Sequence, residues 1–350
     1  SGRLYNNSPL VQYNCTGTQN KALSMLDTVK LFTKEFDIAK ANNFQQSITT
    51  NFATGEVKSE KLFCNTEAGH FDIKQQGADR CLFFTASVPK LLYGTSLCEA
   101  QEQDFDKTLQ EMTGQFRKAG VIVDREAYSS MAVSRIDYCR NVPVQHSIVD
   151  YLALLRNCSF GRRNRTSWKT ETVLFFNGSQ EFTAYNKVLE VKNSPVQSAA
   201  AGITAATPEN ILRFESRLKA AEVVKRTLHC RTFAECWNFK LAKEKLLQDF
   251  DAIIQNVGQQ LELNFMEDSE KLLSLRERRN SFFLFISEKG IPLFLAQYNN
   301  DFELIKKLLL TAYQRRQAFY YLKQLKEFYA EHRTPKDRHL LQELREKLAA

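Results

Sequence analysis

Over most of the first two thirds of the chain, apolar residues alternate with polar ones or come in short β-branched and aromatic runs. Residues 26–36 and 43–63 have this strand character, broken by Asn42-Asn43 and by Gly55. Leu82-Phe83-Phe84-Thr85 predicts a further strand, closed by Pro89 and Gly94. The period then changes: Phe105, Leu109, Met112 and Phe116 recur at helical spacing on one stripe, and Gly120 supplies the stop. Strand character returns at 121–123 and 131–139. Residues 144–156 predict a second amphipathic helix through Ile148, Tyr151, Leu152 and Leu155, and strands follow at 172–176, 182–191 and 212–219. This order of elements is that of an α+β fold, an antiparallel sheet with packed helices rather than a doubly wound parallel one. From about residue 220 the spacing is helical, as in Trp237, Leu241, Phe250 and Ile254 and again in Phe319, Leu322, Leu325 and Tyr329. The expected organisation is a polar N-terminal extension over residues 1–24, an α+β domain over 25–220 and a mostly helical C-terminal domain over 221–350.

Composition narrows the class without choosing the function. With 43% hydrophobic and 25% charged residues in a chain of 350, wholesale disorder is excluded. No apolar run approaches the roughly 18 residues that span a bilayer, so no membrane association is expected. The formal charge of +8 favours anionic partners only mildly. Cys15, Cys64, Cys81, Cys98, Cys139, Cys158, Cys230 and Cys236 are too dilute for a disulfide scaffold and form no CxxC pair, which fits a reducing compartment. The opening Ser1-Gly2-Arg3 lacks the apolar core of a signal peptide, and its first two residues read as a processing scar. No GxxxxGK[ST] stretch supports a nucleotide-binding loop, and dispersed histidines make a histidine-built metal site improbable.

Several segments carry chemistry-bearing side chains. In Met131-Ala132-Val133-Ser134-Arg135-Ile136-Asp137-Tyr138, an unbroken strand puts Val133, Arg135 and Asp137 on one face. That is either a surface ion pair or a carboxylate that binds a divalent metal beside a phosphate-holding arginine. In Thr183-Ala184-Tyr185-Asn186-Lys187, a strand would place Thr183, Tyr185 and Lys187 together: an amphipathic packing tyrosine, or a nucleophile beside a cation. Residues 212–219 alternate, with Arg213, Glu215, Arg217 and Lys219 directed outward as a charge-balanced surface or a phosphate-binding rim. Between Arg156 and Lys169 lie Arg162, Arg163, Arg165 and Trp168 with no acid, a loop suited to DNA phosphates and to stacking on an unpaired base.

In this order the segments resemble the replication initiators of filamentous phages, the gene II/X protein family. The resemblance runs over about residues 25–220. It rests on Met25-Leu26-Asp27-Thr28-Val29-Lys30-Leu31, Ser87-Val88-Pro89-Lys90-Leu91-Leu92-Tyr93-Gly94 and Ser134-Arg135-Ile136-Asp137, then on Ala184-Tyr185-Asn186-Lys187-Val188-Leu189-Glu190 and Arg213-Phe214-Glu215-Ser216-Arg217-Leu218-Lys219. It implies a rolling-circle initiator, a site-specific endonuclease that nicks and rejoins one strand of supercoiled origin DNA through a 5′-phosphotyrosyl intermediate. Tyr185 matches the nucleophile, with Lys187 and Arg135 as its charged helpers. Asp137, Glu190 and Glu215 match acidic positions able to support Mg²⁺ or Mn²⁺. Arg156, Arg162, Arg163, Arg165, Trp168, Lys169, Arg213 and Arg217 are the DNA-binding candidates. The implied setting is the cytoplasm of a bacterial host, with a host replication helicase as partner, and the helical C-terminal domain binds DNA or forms a homo-oligomer. One departure stands out: Phe83 occupies a strand position where the family pattern has a glutamate. It favours the rival expectation, a non-catalytic DNA-binding replication or repressor protein on the same fold.

Overall fold

The computed structural model describes residues 25–350 except 77–78, 157, 159, 169–170, 276–281, 283–284, 287–290, 299–300 and 332–336; the polar extension of residues 1–24 and Lys169 lie outside the described residues. In chain order the strands are β1 (Met25–Thr33), β2 (Asp37–Ile38), β3 (Gln45–Thr50), β4 (Val57–Asn65), β5 (Gly69–Gln76) and β6 (Asp79–Ser87). They continue with β7 (Val121–Ile122), β8 (Ala132–Pro143), β9 (Asn164–Trp168), β10 (Thr172–Phe176), β11 (Gln180–Asn186) and β12 (Ile211–Leu218). Apart from β2 and β7, which pair with each other, they form one sheet in the order β3-β4-β5-β6-β1-β8-β12-β11-β10-β9, antiparallel throughout. The α+β fold with an antiparallel sheet is thus as expected.

One face of the sheet is apolar because every second residue of its central strands is. Val29, Leu31, Phe71, Phe84, Ile136, Tyr138, Phe182 and Phe214 are buried there, each large apolar side chain worth about 1.5–3 kcal/mol. The helix Phe105–Ala119 closes part of this face through Phe116, whose ring centroid is 5.0 Å from those of Phe71 and Phe84. The long helix Phe239–Leu275 covers the centre, with Phe250 at 5.5 Å from Phe214. The last helix, Asp337–Ala349, adds Leu340, Leu344 and Leu348. Residue 220, where the hydrophobic period changes, lies between β12 and the helix Ala221–Leu228, and both bury residues in this cluster, Leu218 on one side and Val223 and Val224 on the other. A separate cluster forms further along the helical region, around Leu272, Phe294, Ile305, Leu309, Leu322 and Leu325.

Two irregularities set the opposite face. Leu26 pairs with Tyr138 and Thr28 with Asp137, so Asp27 is an extra residue of β1. Lys30 pairs with Arg135 but Leu31 with Val133, so Ser134 is extra in β8. The second bulge corrects the unbroken alternation expected for this strand: Val133 turns into the core, while Arg135 and Asp137 keep the open face. The basic stretch 156–169 is likewise not all loop, since Asn164–Trp168 is the edge strand β9. Cys64, Cys81, Cys139, Cys158, Cys230 and Cys236 are not disulfide-bonded, whereas Cys98 is, against the expectation of a fully reduced set.

Candidate active site

β12 is central in the sheet, and its alternation puts Arg213, Glu215 and Arg217 on the open face. Register sets their neighbours: Tyr185 of β11 stands opposite Arg213, and Glu181 and Asp137 flank Arg217 from either side. The Tyr185 phenol donates to Glu215 Oε1 at 2.5 Å. Arg213 Nε lies 3.0 Å from the same oxygen, and Arg213 Nη2 reaches Asp27 Oδ1 at 2.7 Å. The bulge at Asp27 is what aims this carboxylate at the guanidinium. Arg213 also donates to the Ser96 carbonyl and to Cys139 Sγ, at 2.5 and 2.8 Å. Its side chain is wholly buried, so it is not part of an outward phosphate rim as the alternation suggested. A charge inside this cluster is tolerated because acids and donor-accepting atoms surround it.

Lys187 reaches the site by a different route from the one the pattern predicts. β11 ends at Asn186, whose side chain accepts from Leu189 N at 3.1 Å and caps a short helix, Lys187–Lys192. Thr183 and Tyr185 therefore share a strand face, but Lys187 opens a helix. Its buried ammonium donates to Ser96 Oγ and Glu190 Oε2, both at 2.7 Å, and stands 5.6 Å from the centre of the Tyr185 ring. Asp137 is held by two arginines: Arg135 donates to both its oxygens at 2.9 and 2.6 Å, and Arg217 Nε to Oδ2 at 2.9 Å. Arg217 continues to Glu181 at 2.5 Å, and Lys219 pairs with Glu181 as well.

The electrostatics follow from burial and from these partners. Burial, then the neighbouring Glu215 carboxylate, pushes the Tyr185 phenol well above its ordinary range, so the resting side chain is neutral. Burial, reinforced by Asp27, raises Glu215 as well. Asp27 moves the other way: burial would raise it, but Arg213 and then Lys187 outweigh that and hold it low. Burial and the Arg213 charge loosen the Lys187 proton. A phenol hydrogen-bonded to a carboxylate of raised basicity, with a buried ammonium near the ring, has the parts of a nucleophile, its base and an acid.

A divalent metal does not fit the side chains as they stand. Asp27, Asp137, Glu181, Glu190 and Glu215 are each paired with Arg135, Lys187, Arg213, Arg217 or Lys219. Among the described residues no three acids, histidines or cysteines converge on one point. Asp137, Glu190 and Glu215 are consequently not brought together as a ligand set.

Residues 21–239 match the family described as replication-associated protein G2P, N-terminal. The chain belongs to that family. Membership in the G2P family gives the chain the role of a rolling-circle replication initiator, with DNA nicking and origin binding as the general activities and a divalent metal as the general requirement. The chain is also similar to the solved rolling circle replication initiator protein from Geobacillus stearothermophilus, at 10% identity and a TM-score of 0.26, over 58% of this chain and 77% of that one. No curated protein matches it. No helix among the described residues is long and apolar enough to cross a membrane.

The remaining candidates of this G2P-family chain divide sharply. Trp168 is half exposed and lies in register with Thr172, which faces Tyr185, so the indole shares the open face with the phenol. Arg162 is exposed. Arg163 is not the unsatisfied group that an acid-free stretch suggests: it donates to Gln180 at 2.6 Å, pairs with Asp249 at 3.3 Å and stacks 3.8 Å from the Phe160 ring centre. Arg165 pairs in register with buried Phe175, on the opposite face from Trp168, and donates to the Cys158 carbonyl. Arg156 ends the helix Ile148–Arg156 with Nε and Nη2 buried and without a hydrogen bond among the described residues. Asp27, Ser96 and Glu181 belong to the cluster yet were not singled out from sequence. Only Asp27 left a signal, an acid embedded in the apolar and β-branched run Met25-Leu26-Asp27-Thr28-Val29.

Proposed function

We propose that this chain nicks one strand of origin DNA by in-line attack of the Tyr185 oxygen on a phosphodiester, and later rejoins it. The hydrogen bond from Tyr185 to Glu215 is the observation that carries the reading. Glu215 takes the phenol proton as the O–P bond forms, because the phenol is too weak an acid to ionise unaided. The 3′-oxygen leaves as a hydroxyl, protonated by Lys187, whose ammonium burial has loosened. Arg135 and Arg217, each about a third exposed, contact the non-bridging oxygens and the adjoining backbone. Rejoining is the same path reversed: the 3′-hydroxyl returns its proton to Lys187, and the phenolate leaves and recovers its proton from Glu215. The phosphotyrosyl ester conserves the energy of the broken bond, so rejoining needs no nucleotide.

Mg²⁺ or Mn²⁺, the hard cations that carboxylates bind, would have to displace the arginine and lysine partners of these acids, and no step above is routed through them. The proposed setting is the cytoplasm of a bacterial host, with a host helicase opening the nicked duplex. The helical region from 221 to 350 would contribute duplex contacts or self-association. The test is a suicide oligonucleotide carrying the origin, followed by proteolysis and mass spectrometry of the DNA-linked peptide. The adduct is expected on Tyr185 and absent from Tyr185→Phe. An adduct on another residue, or one that persists in the phenylalanine variant, overturns the assignment.

A further inference from the structure

The open face does not end at the tyrosine cluster. Beyond β1 it continues across β6, β5 and β4, where Asp72 of β5 faces Phe63 on one side and Phe83 on the other. The buried Asp72 carboxylate is ringed by nitrogen atoms: His70 Nε2 at 3.1 Å, Lys61 Nζ at 3.5 Å and Lys30 Nζ at 3.6 Å. Lys74 stands opposite Lys61 in the ladder and 5.6 Å from the Phe83 ring centre, while Lys30 is 5.0 Å from the same ring. Phe83, where the resemblance anticipates a glutamate, thus brings a ring to this face and no charge.

A structural ion pair needs one cation for its carboxylate. Here the ammonium groups of Lys30, Lys61 and Lys74 outnumber the one carboxylate, which leaves a positive surplus, and the Lys30 and Lys61 side chains stay 26% and 41% exposed. The patch is also continuous with the site, since Lys30 pairs in register with Arg135, whose guanidinium holds Asp137. Ammonium groups set around the partly exposed Phe63 ring, with Phe83 buried at their base, match a flexible polyanion with planar bases better than a rigid duplex or an acidic protein. We propose that this face is a track for single-stranded DNA, with Lys30, Lys61 and Lys74 gripping its phosphates and Asp72 acting as the positioning residue that holds them in place. The inference rests on the strand-transfer reading and extends it by giving the bound strand a direction across the sheet. From β11 to β5 there are five interstrand steps, and at roughly 4.8 Å each the grip lies about 24 Å from Tyr185, several nucleotides along the strand.

The experiment measures binding of fluorescein-labelled oligo-dT to the full chain by anisotropy over a salt series. The protein is compared with a Lys30→Gln/Lys61→Gln/Lys74→Gln variant and with the matching triple arginine variant. The glutamine variant is expected to bind at least about tenfold more weakly and to flatten the log–log salt dependence by about 2, at roughly 0.7 per lost phosphate contact. The arginine variant should restore both. Wild-type affinity and slope in the glutamine variant overturn the track, and so does a folded arginine variant that fails to restore binding. A loss confined to duplex DNA also overturns it. The suicide-oligonucleotide assay keeps the two readings apart. If the parent forms no Tyr185 adduct while the lysine variants behave as expected, strand transfer falls; if the adduct forms and the lysines prove irrelevant, only the track does.

Discussion

Replacing Glu215 by Gln removes the proposed base and leaves nearly everything else in place. Gln is isosteric and its carbonyl still accepts from the Tyr185 phenol, so the 2.5 Å contact has a neutral counterpart. Arg213 keeps Asp27 at 2.7 Å, the Ser96 carbonyl and Cys139. The amide cannot take the proton, and the phenol, raised by burial, cannot lose it to water at neutral pH. A positioned base contributes about 10²–10⁴ in rate, so single-turnover cleavage should slow by that factor, about 2.7–5.4 kcal/mol on the barrier. Oligonucleotide affinity should change by less than about threefold, since Glu215 meets no phosphate in this scheme. The pH profile adds a second readout. Because burial raises Glu215, cleavage by the parent should climb with pH through that raised value as the carboxylate ionises, and this acid limb should vanish in the variant. The stability effect has its own sign. A carboxyl raised on folding contributes stability at low pH that is lost as pH rises through its folded value, so near neutrality the variant is spared the cost of burying that charge. Cleavage within tenfold of the parent, or an unchanged acid limb, would refute Glu215 as the base.

Three further outcomes are expected. Asp27→Asn should blunt acid unfolding: Asp27 is held low, so its stabilisation is present above the ordinary carboxylate range and lost as pH falls through its folded value, and a parent and variant with the same acid-denaturation midpoint would contradict this. Arg163→Ala should lower stability by about 1.5–3 kcal/mol in urea unfolding, through its lost bonds to Gln180 and Asp249, with little change in the salt dependence of DNA binding, whereas Trp168→Ala should weaken single-strand binding and spare stability; the reverse pattern would return Arg163 to the DNA interface. Chelation by EDTA should abolish nicking yet leave oligonucleotide binding intact, because the family's general metal requirement has to be met here by carboxylates that exchange their arginine and lysine partners for the cation once DNA enters; nicking that survives chelation would mean that the guanidinium groups neutralise the phosphate unaided.

Much of this architecture was legible in the hydrophobic pattern because the apolar face is written at period two. Phe182, Ala184, Leu212 and Phe214 alternate with polar residues, and the helix bearing Met112 and Phe116 follows its stripe. What escaped were departures from period. The bulges at Asp27 and Ser134 each insert one residue, which no alternation can anticipate, and the first of them delivers the carboxylate that anchors Arg213. The strand β5 was missed because Gly69, His70, Asp72 and Lys74 dilute its apolar residues, yet those charges are what its open face displays. Arg163 reads from sequence as an unsatisfied cation for a related reason. Its partner Asp249 lies far along the chain on the helix covering the sheet, so a stretch without local acids looked unsatisfied when it was not.

The pairing of acid with base across the open face bears on how one site can both break and remake a strand. In a poorly solvated cluster each charge alone would be costly, and each is compensated by a neighbour: Arg213 by Asp27 and Glu215, Arg217 by Asp137 and Glu181, Lys187 by Glu190. A phosphodiester entering this field adds a negative charge that would draw Arg135 and Arg217 partly away from Asp137, which would couple DNA binding to the freedom of that carboxylate. In the proposed scheme, attack by Tyr185 would pass its proton to Glu215 and spend one positive charge at Lys187 on the leaving oxygen, so the cluster would change by proton position and not by net transfer to solvent. The two directions then differ little in electrostatic cost, which is what reversible strand transfer requires. Lys187→Gln tests that symmetry. It removes the acid for the leaving 3′-oxygen and the recipient of its proton on return, so cleavage and rejoining should slow together while the Tyr185–Glu215 contact persists. A variant that cleaves slowly but rejoins at the parental rate would show that the proton comes from elsewhere.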